Sequence, residues 1–359
     1  MATATIPARG LRVSRPLITI DGRESVRLAQ GLKRLTILES LDGLFSLEAT
    51  FGNWGPRGNS IDFLYFDRGA LDFGKAVEIK LEDEILFSGR ISALEAVYPE
   101  GRPPEMAVFA EDRFQDLRMT RRTRTFSDVT DADVFRRIAT DHGLRSDVLL
   151  QGPSHKVIAQ VNQSDLAFLR SRSRALGVEL WIEGTTLHAM TRDQRTDGTL
   201  RLTYGGELQE FRVSADISRQ RTSLTVAGWD PASKAAALHK AGVSTIQGEL
   251  DGGDCGASIL ESAFAPREES VVHMGVRSST EARAYAEALF RAQARAFVSG
   301  WGVAPAHVGL HSGRRVELIG LGPLFDGNYY VTSVRAEFDS SGGFTTEFRV
   351  ERPGLGRAE

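Results

Sequence analysis

Cysteine occurs once in 359 residues, at Cys255, so the chain builds neither an internal disulfide framework nor a multi-cysteine zinc site. Long apolar runs are missing too: no stretch approaches the roughly 20 residues that cross a bilayer as a helix. Met1 to Gly10 has neither the charged start nor the apolar stretch of a secretory leader, which predicts a protein made and folded in the cytosol. Neither sign of charge dominates. With 44 Lys and Arg against 47 Asp and Glu, the net charge of −3 excludes a surface that grips phosphates all over and leaves only local basic patches. Glycine, by contrast, is plentiful at 36 residues. It punctuates alternating segments and predicts a β-rich protein with many tight turns.

Up to Val97 the apolar positions mostly alternate, as in Leu35-Thr-Ile37, Phe45-Ser-Leu47-Glu-Ala49-Thr-Phe51 and Val77-Glu-Ile79-Lys-Leu81, the pattern of strands with one buried face. Between 113 and 198 the pattern changes. Thr130 with Asp133 reads as a helix start and Gly143 as its stop. Ser164 opens a second helix from Asp165 to Leu176, closed by Gly177, and a hairpin follows from Val178 to Met190. Strand character returns at Leu200–Tyr204, Leu208–Val213 and Thr222–Trp229. Alanine-rich stretches near Ala235–Leu238 and Ile259–Phe264 predict helices. A long amphipathic helix is expected from Ser279 to Val298, capped by Ser278 with Glu281 and stopped by Gly300.

The first and last β blocks resemble each other. Gly74-Lys-Ala-Val77-Glu-Ile79 matches Gly313-Arg-Arg-Val316-Glu-Leu318 at an offset of 239, and Leu86-Phe-Ser-Gly89 matches Leu324-Phe-Asp-Gly327 at 238. A fainter echo pairs Ser46-Leu47 with Ser223-Leu224 at 177, which implies an insertion of about 62 residues in the second copy. The expected fold is α+β and β-dominated: two related β-barrels, an inserted small α/β domain and a helical insertion. The expected division is 1–112 for the first barrel, 113–198 for the α/β domain, 199–230 plus 300–355 for the second barrel, and 231–299 for the helical insertion. A short β module must satisfy its open edges by closing or by pairing with a neighbour. Tandem copies therefore let three subunits present six similar positions.

Several phrases together resemble baseplate hub proteins of contractile tails, the late control D and VgrG-like family. They are Leu86-Phe-Ser-Gly89, Arg124-Thr-Phe126 before Thr130-Asp-Ala-Asp-Val134, Val161-Asn-Gln-Ser164-Asp165, Val226-Ala-Gly-Trp229-Asp-Pro231 and Leu324-Phe-Asp-Gly-Asn-Tyr-Tyr330. The resemblance implies tube-protein-like barrels and a homotrimer forming a pseudo-hexameric ring that adapts a sixfold inner tube to a threefold spike. It implies as partners an inner tube or tube-initiator protein, a separate spike protein, baseplate wedge proteins, and a tape measure protein or cargo in the channel. It also implies assembly in the bacterial cytoplasm and residence in the tail of a phage or phage-tail-like particle.

Residues that could carry chemistry read more plainly as structural. His307 and His311 are four apart but sit in a turn-and-strand region without an evident third ligand. His142 stands at a helix end, Cys255 in an ordinary loop, and Gly320-Leu-Gly322 in a β-turn without a following helix. No catalytic, cofactor-binding or metal residue is assigned, and no stable nucleic-acid or membrane binding is expected. The candidate structural or interface residues are Phe87, Gly89, Arg121, Arg122, Arg124, Trp229, Phe325, Gly327 and Tyr330. Arg170, Arg172 and Arg174 form a second basic cluster, read as a subunit contact or a solvated face. A non-enzymatic hub is the leading reading. A tail-associated peptidoglycan or glycan hydrolase and a carbohydrate-binding module are the alternatives. Wall clearing abolished by one carboxylate substitution would identify the hydrolase, and a monomer with saturable glycan binding the module.

Overall fold

The computed structural model describes residues 15–195, 198–231 and 233–356, so the alternation expected from Leu11 begins outside the described residues. The architecture is α+β and dominated by strands, with 48% strand and 21% helix. Twelve strands carry the main sheet: β1 (Leu17–Ile20), β2 (Leu32–Ser40), β3 (Ser46–Gly52), β4 (Ala76–Leu81), β5 (Glu84–Val97), β6 (Glu105–Glu111), β7 (Thr199–Thr203), β8 (Glu210–Ala215), β9 (Val298–Pro305), β10 (Arg315–Ile319), β11 (Gly327–Asp339) and β12 (Gly343–Arg352).

The sheet contains a repeat. The first six strands lie in the order β2-β3-β6-β5-β4-β1 and the last six in the order β8-β9-β12-β11-β10-β7, the same permutation. The correspondence extends to single hydrogen bonds. Arg90 and Ile91 oppose Glu111 and Ala110, and the chain then bulges at Ser92. Tyr330 and Val331 oppose Glu351 and Val350, and the chain bulges at Thr332. Both bulge hydroxyls donate across the ladder at 3.3 Å, Ser92 to the Phe109 carbonyl and Thr332 to the Arg349 carbonyl. Gly74 N–H donates to Ile91 O and Gly313 N–H to Val331 O, each at 2.8 Å. Their φ values of 77° and 85° favour glycine at both places. The terminal strands differ: β1 runs antiparallel to β4, whereas β7 runs parallel to β10, because the chain reaches β7 from the α/β segment.

The offset of 239 expected for Val77 and Val316 matches these ladders, but the Leu-Phe-x-Gly phrases fall two residues out of register. Val77 opposes Gly89, while Val316 opposes Tyr329. Gly89 therefore corresponds to Tyr329, and Phe87 to Gly327. The cause is the connection: β4 and β5 are joined by a two-residue turn, β10 and β11 by the longer loop through Gly320 and Gly322. Phe87 is a buried strand residue, whereas Phe325 occupies that loop.

Three further expectations are corrected. Ser223–Asp230 pairs with Ala235–Gly242 and Glu268–Val271, so it belongs to the insertion's own three-stranded sheet and not to the second β module. The counterpart of β3 is instead β9, which pairs with β8 as β3 pairs with β2. Ala235–Leu238 lies on a strand: alanine's helix propensity yields to the ladder with Ser223–Asp230. The long helix ends at Arg295, because Val298 already pairs with Ala215 and Arg352, and Gly300 sits inside that strand.

No ladder among the described residues closes either six-stranded set upon itself; the two sets, with the two-residue strand Arg23–Glu24 on the edge of β1, join in one 13-stranded sheet. The first surrounds a core of Leu35, Ile37, Phe51, Val77, Ile79 and Phe87, the second one of Leu202, Val316, Leu318, Tyr329, Phe348 and Val350. At Gly89 an added Cβ would run into the Glu111 carbonyl oxygen and the Phe87 ring. Gly89→Ala is therefore expected to cost about 1–3 kcal/mol of stability through overpacking, measurable as a lower denaturation midpoint with an unchanged slope.

Candidate assembly interface

The two modules meet where β11 lies antiparallel to β2, with Val334 opposite Glu39, Ala336 opposite Ile37 and Phe338 opposite Leu35. The length of β11 makes this possible. Its first residues pair with β10, and beyond the bulge the same edge is free to take β2. Ala336 and Phe338 thereby enter the core of the first module, where Phe338 is 1% exposed.

The repeat predicts a second junction of this kind, between β5 and β8. Among the described residues it is unmade: beyond the bulge β5 pairs only with β6, and β8 pairs only with β9. Side-chain burial follows. Tyr98, the counterpart of Phe338, is 66% exposed, and Ala96, the counterpart of Ala336, is exposed. Across the gap Phe211 and Val213, the counterparts of the buried Leu35 and Ile37, are only half-buried. An aromatic run leads to the open edge: Trp54 meets Phe63 at 5.1 Å, Phe63 stacks on Phe66 at 4.8 Å, and Phe66 meets Tyr98 at 6.1 Å. Single exposed apolar residues are ordinary. An apolar stripe along an unpaired strand edge is a pairing surface.

Buried ion pairs fix the modules and insertions relative to one another. Glu39 on β2 accepts from His311 Nδ1 at 2.9 Å and from the Ser312 N–H at 3.1 Å, which clamps the module joint. Burial pulls the His311 ring down, but the hydrogen bond and charge of Glu39 outweigh it, against a smaller push from Arg314, and hold it above the ordinary 6.5. A histidine raised in the folded state contributes stability that is fully present below about pH 6.5 and fades as pH climbs through the raised value. Thermal midpoints recorded from about pH 6 to about pH 9 should therefore fall more for the native chain than for Glu39→Gln.

Glu179 ties the α/β segment to the second module. It accepts from Arg192 Nε at 3.2 Å, Arg195 Nη1 at 2.9 Å and the Tyr330 hydroxyl at 2.5 Å. Arg192 also donates to Glu351 at 2.8 Å and stacks over the Tyr330 ring at 3.8 Å. Burial, reinforced by the Glu179 charge, drives the Tyr330 phenol far above its ordinary range, so it stays a hydrogen-bond donor. His155, held in place by Asp131, joins the α/β segment to the insertion through Glu281; the Asp131 carboxylate is shared. It accepts a bidentate pair from Arg172 at 2.6 and 2.8 Å and a contact from His155 at 3.0 Å, while His155 reaches Glu281 at 3.1 Å.

The sequence-selected residues fall into place around this frame. Phe87 and Tyr330 are buried, and Gly89 and Gly327 lie at close approaches. Phe325 packs partly against the second core, and its carbonyl accepts from the Tyr329 hydroxyl at 2.8 Å. Arg124 is engaged inside the α/β segment by Asp165 at 2.8 Å, Asp141 at 2.7 Å and Gln160 at 2.8 Å, and Arg122 lies 3.2 Å from Asp165. Arg121 remains exposed and donates to the Asn162 carbonyl at 3.2 Å. The second basic cluster is also internal: Arg170 donates to the Asp42 and Gly43 carbonyls and Arg174 to the Asp42 carboxylate, tying the α/β segment to the first module. Trp229 is exposed on the insertion's sheet.

His311 is taken by Glu39, and His307 Nδ1 accepts from the Gly309 N–H. The His142 ring pairs with Asp165 at 2.8 Å rather than with helix-end carbonyls. Cys255 is buried as a helix cap for Ser258. Among the described residues no group of three or more His, Cys, Asp or Glu side chains could hold a metal ion, and no helix is long and apolar enough to cross a membrane. The open edges at Tyr98 and Phe211 escaped sequence reasoning. A repeat alignment in the correct register, setting Tyr98 against Phe338, would have exposed them.

The family described as the Alg8 N-terminal domain matches residues 60–340, from the hairpin before β4 to the end of β11. The chain belongs to the Alg8 N-terminal domain family. No curated protein sequence matches it significantly. Among solved structures, this family member is similar to the 43 kDa tail protein of prophage MuSo2 from Shewanella oneidensis, at 16% identity and a TM-score of 0.70, covering 94% of this chain and 98% of that one. The tail protein of Neisseria meningitidis MC58 follows at 14% identity and a TM-score of 0.68, with coverages of 95% and 97%. The Escherichia coli c3393 protein is described as a type VI secretion component similar in structure to the T4 bacteriophage tail proteins gp27 and gp5. It superposes with a TM-score of 0.59 at 12% identity, covering 95% of this chain and 79% of that one. The fold of this Alg8 N-terminal domain family member is thus one that phage tail proteins and a type VI secretion component share.

Proposed function

We propose that the chain is a structural, non-catalytic baseplate hub of a phage tail or phage-tail-like injection machine, and that three copies close into a ring of six β modules. The observation that carries this reading is the mismatch between equivalent edges. The junction of β11 with β2 is made inside the chain, while its counterpart edges on β5 and β8 stand open, with Tyr98 exposed where Phe338 is buried. Laid on the observed register, Leu94 faces Ala215, Ala96 faces Val213 and Tyr98 faces Phe211 of the partner subunit. Backbone hydrogen bonds then run across each subunit boundary as they run across the module joint. Three junctions within a chain and three between chains alternate, which gives near-sixfold geometry to a threefold assembly.

The structural neighbours, tail proteins and a type VI secretion component, support a tail role, and the family resemblance supports the symmetry-adaptor role. In that role the sixfold face docks the inner tube or tube-initiator protein and the threefold axis takes a separate spike protein. The insertions reach baseplate wedge proteins, a tape measure protein or cargo occupies the channel, and assembly takes place in the bacterial cytoplasm before incorporation into the tail. Light scattering on the purified chain tests the ring directly, with three times the monomer mass expected. Ala96→Cys combined with Val213→Cys should give a reducible covalent trimer under mild oxidation, since Cys255 is buried. A persistent monomer without cross-links would overturn the proposal.

A further inference from the structure

The solvated face of the sheet carries a feature that assembly through strand edges does not use. Where the two modules join, a concavity of about 450 Å³ opens among Leu38, Leu44, Trp301, Arg335, Glu347 and Arg349. Arg212, Trp301 and Arg349 lie directly opposite one another on β8, β9 and β12, so Trp301 has an arginine beside it on each neighbouring strand; Trp301 and Arg349 line the concavity, and Arg212 lies next to it in the row. Among the described residues neither Arg212 nor Arg349 has a carboxylate partner, whereas Arg335 is held by Glu337 at 2.5 Å. Glu347, directly opposite Arg335, is offset from the free pair by one ladder step.

In the first module the equivalent row reads Thr36, Glu48 and Phe109. The repeat keeps the strands and discards the arginines, placing a carboxylate where the second module has the indole. This site occurs once per chain, so it is not a by-product of the β framework.

We infer that this concavity, together with the row that leads from it to Arg212, binds an acidic peptide segment, its carboxylate held by Arg349 and Arg212 and an adjacent apolar side chain resting on Trp301, Leu38 and Leu44. Guanidinium groups form charge-assisted hydrogen bonds with carboxylates, and a neighbouring aromatic face takes the apolar part of the same segment. A nucleic acid fits less well. A strand of phosphates needs a continuous basic field, whereas here two guanidinium groups stand among Glu210, Glu337, Glu347 and Glu48, a setting for a single carboxylate and not for a row of anions. The inference rests on the ring reading only for the origin of the peptide, a protein passing through or plugging the channel; the pocket itself is complete within one chain.

The test is calorimetric titration of the full chain, in whatever oligomer it forms, with a synthetic peptide of alternating glutamate and leucine, its glutamine–leucine counterpart, and a single-stranded oligodeoxynucleotide. Saturable binding of the glutamate peptide is expected, weakened roughly tenfold or more by Arg349→Gln, with Trp301→Ala also weakening it and the exposed control Arg121→Gln leaving it unchanged. Equal binding of both peptides, binding indifferent to Arg349→Gln, or tighter oligodeoxynucleotide binding that Arg349→Gln removes would overturn the inference. Light scattering on the same samples reports the ring separately, so failure of one does not pass for failure of the other.

Discussion

Tyr98→Asp is expected to leave the chain folded and to dissolve the assembly into single copies. Tyr98 is 66% exposed within one chain, so its replacement removes little intramolecular packing. In the ring the same side chain takes the position that Phe338 occupies at the internal joint, inside a hydrophobic core. Central aromatic anchors of this kind contribute about 2–4 kcal/mol to an interface, which is about 30-fold to 1000-fold in the dissociation constant. A carboxylate at that position would also be buried without a partner. Sedimentation or light scattering should report the monomer mass, while the thermal midpoint of the isolated chain stays within a few degrees. Tyr98→Phe should assemble normally. An assembled Tyr98→Asp protein would remove β5 from the subunit boundary.

Glu179→Ala is expected to be the most damaging single substitution in the inter-segment clamps, at about 3–5 kcal/mol. The carboxylate is 9% exposed and is shared by Arg192 and Arg195, whose side chains are 11% and 9% exposed. Truncation takes a shared carboxylate from two largely buried guanidinium groups, Arg192 keeping Glu351 and Arg195 the Ser312 carbonyl, and it strands the Tyr330 hydroxyl. Tyr330→Phe removes one neutral donor while the ion pairs persist, and should cost about 1–2 kcal/mol. Urea unfolding followed by tryptophan emission would separate the two, because Trp181 lies under Arg195 at the same joint. If Glu179→Ala unfolds no earlier than Tyr330→Phe, the α/β segment is not anchored to the second module through this carboxylate.

The parts of the fold legible in the sequence are those specified locally. Ser164 caps the helix Asp165–Leu176 by accepting from the Ala167 N–H, and Gly177 ends it at φ 66°. Both act within one turn, so reading them needs no tertiary knowledge. Thr130 with Asp133 forms a reciprocal capping box for the same reason. The misread stretches are those decided by distant partners. Ala235–Leu238 has helical composition but completes a ladder with Ser223–Asp230, and Phe297 to Gly300 continues a helical pattern until β8 and β12 draw Val298 into the sheet. The Leu-Phe-x-Gly echo misled for a subtler reason: side chains were matched across two hairpin connections of unequal length. The acidic partners of the basic clusters were not legible because they lie far along the chain: exposed Arg174 is paired with Asp42, and the largely buried Arg172 with Asp131.

In the second module the hairpin link between β8 and β9 has grown into the whole stretch from Asp216 to Phe297, yet Ala215 and Val298 still face each other across the ladder. The polypeptide departs from the sheet and returns to it at one spot. An appendage attached in this way can be lengthened, traded for another or trimmed back to a short turn without shifting any strand of the framework. Lineages carrying this scaffold are thereby free to change what the appendage touches while keeping the sheet itself constant.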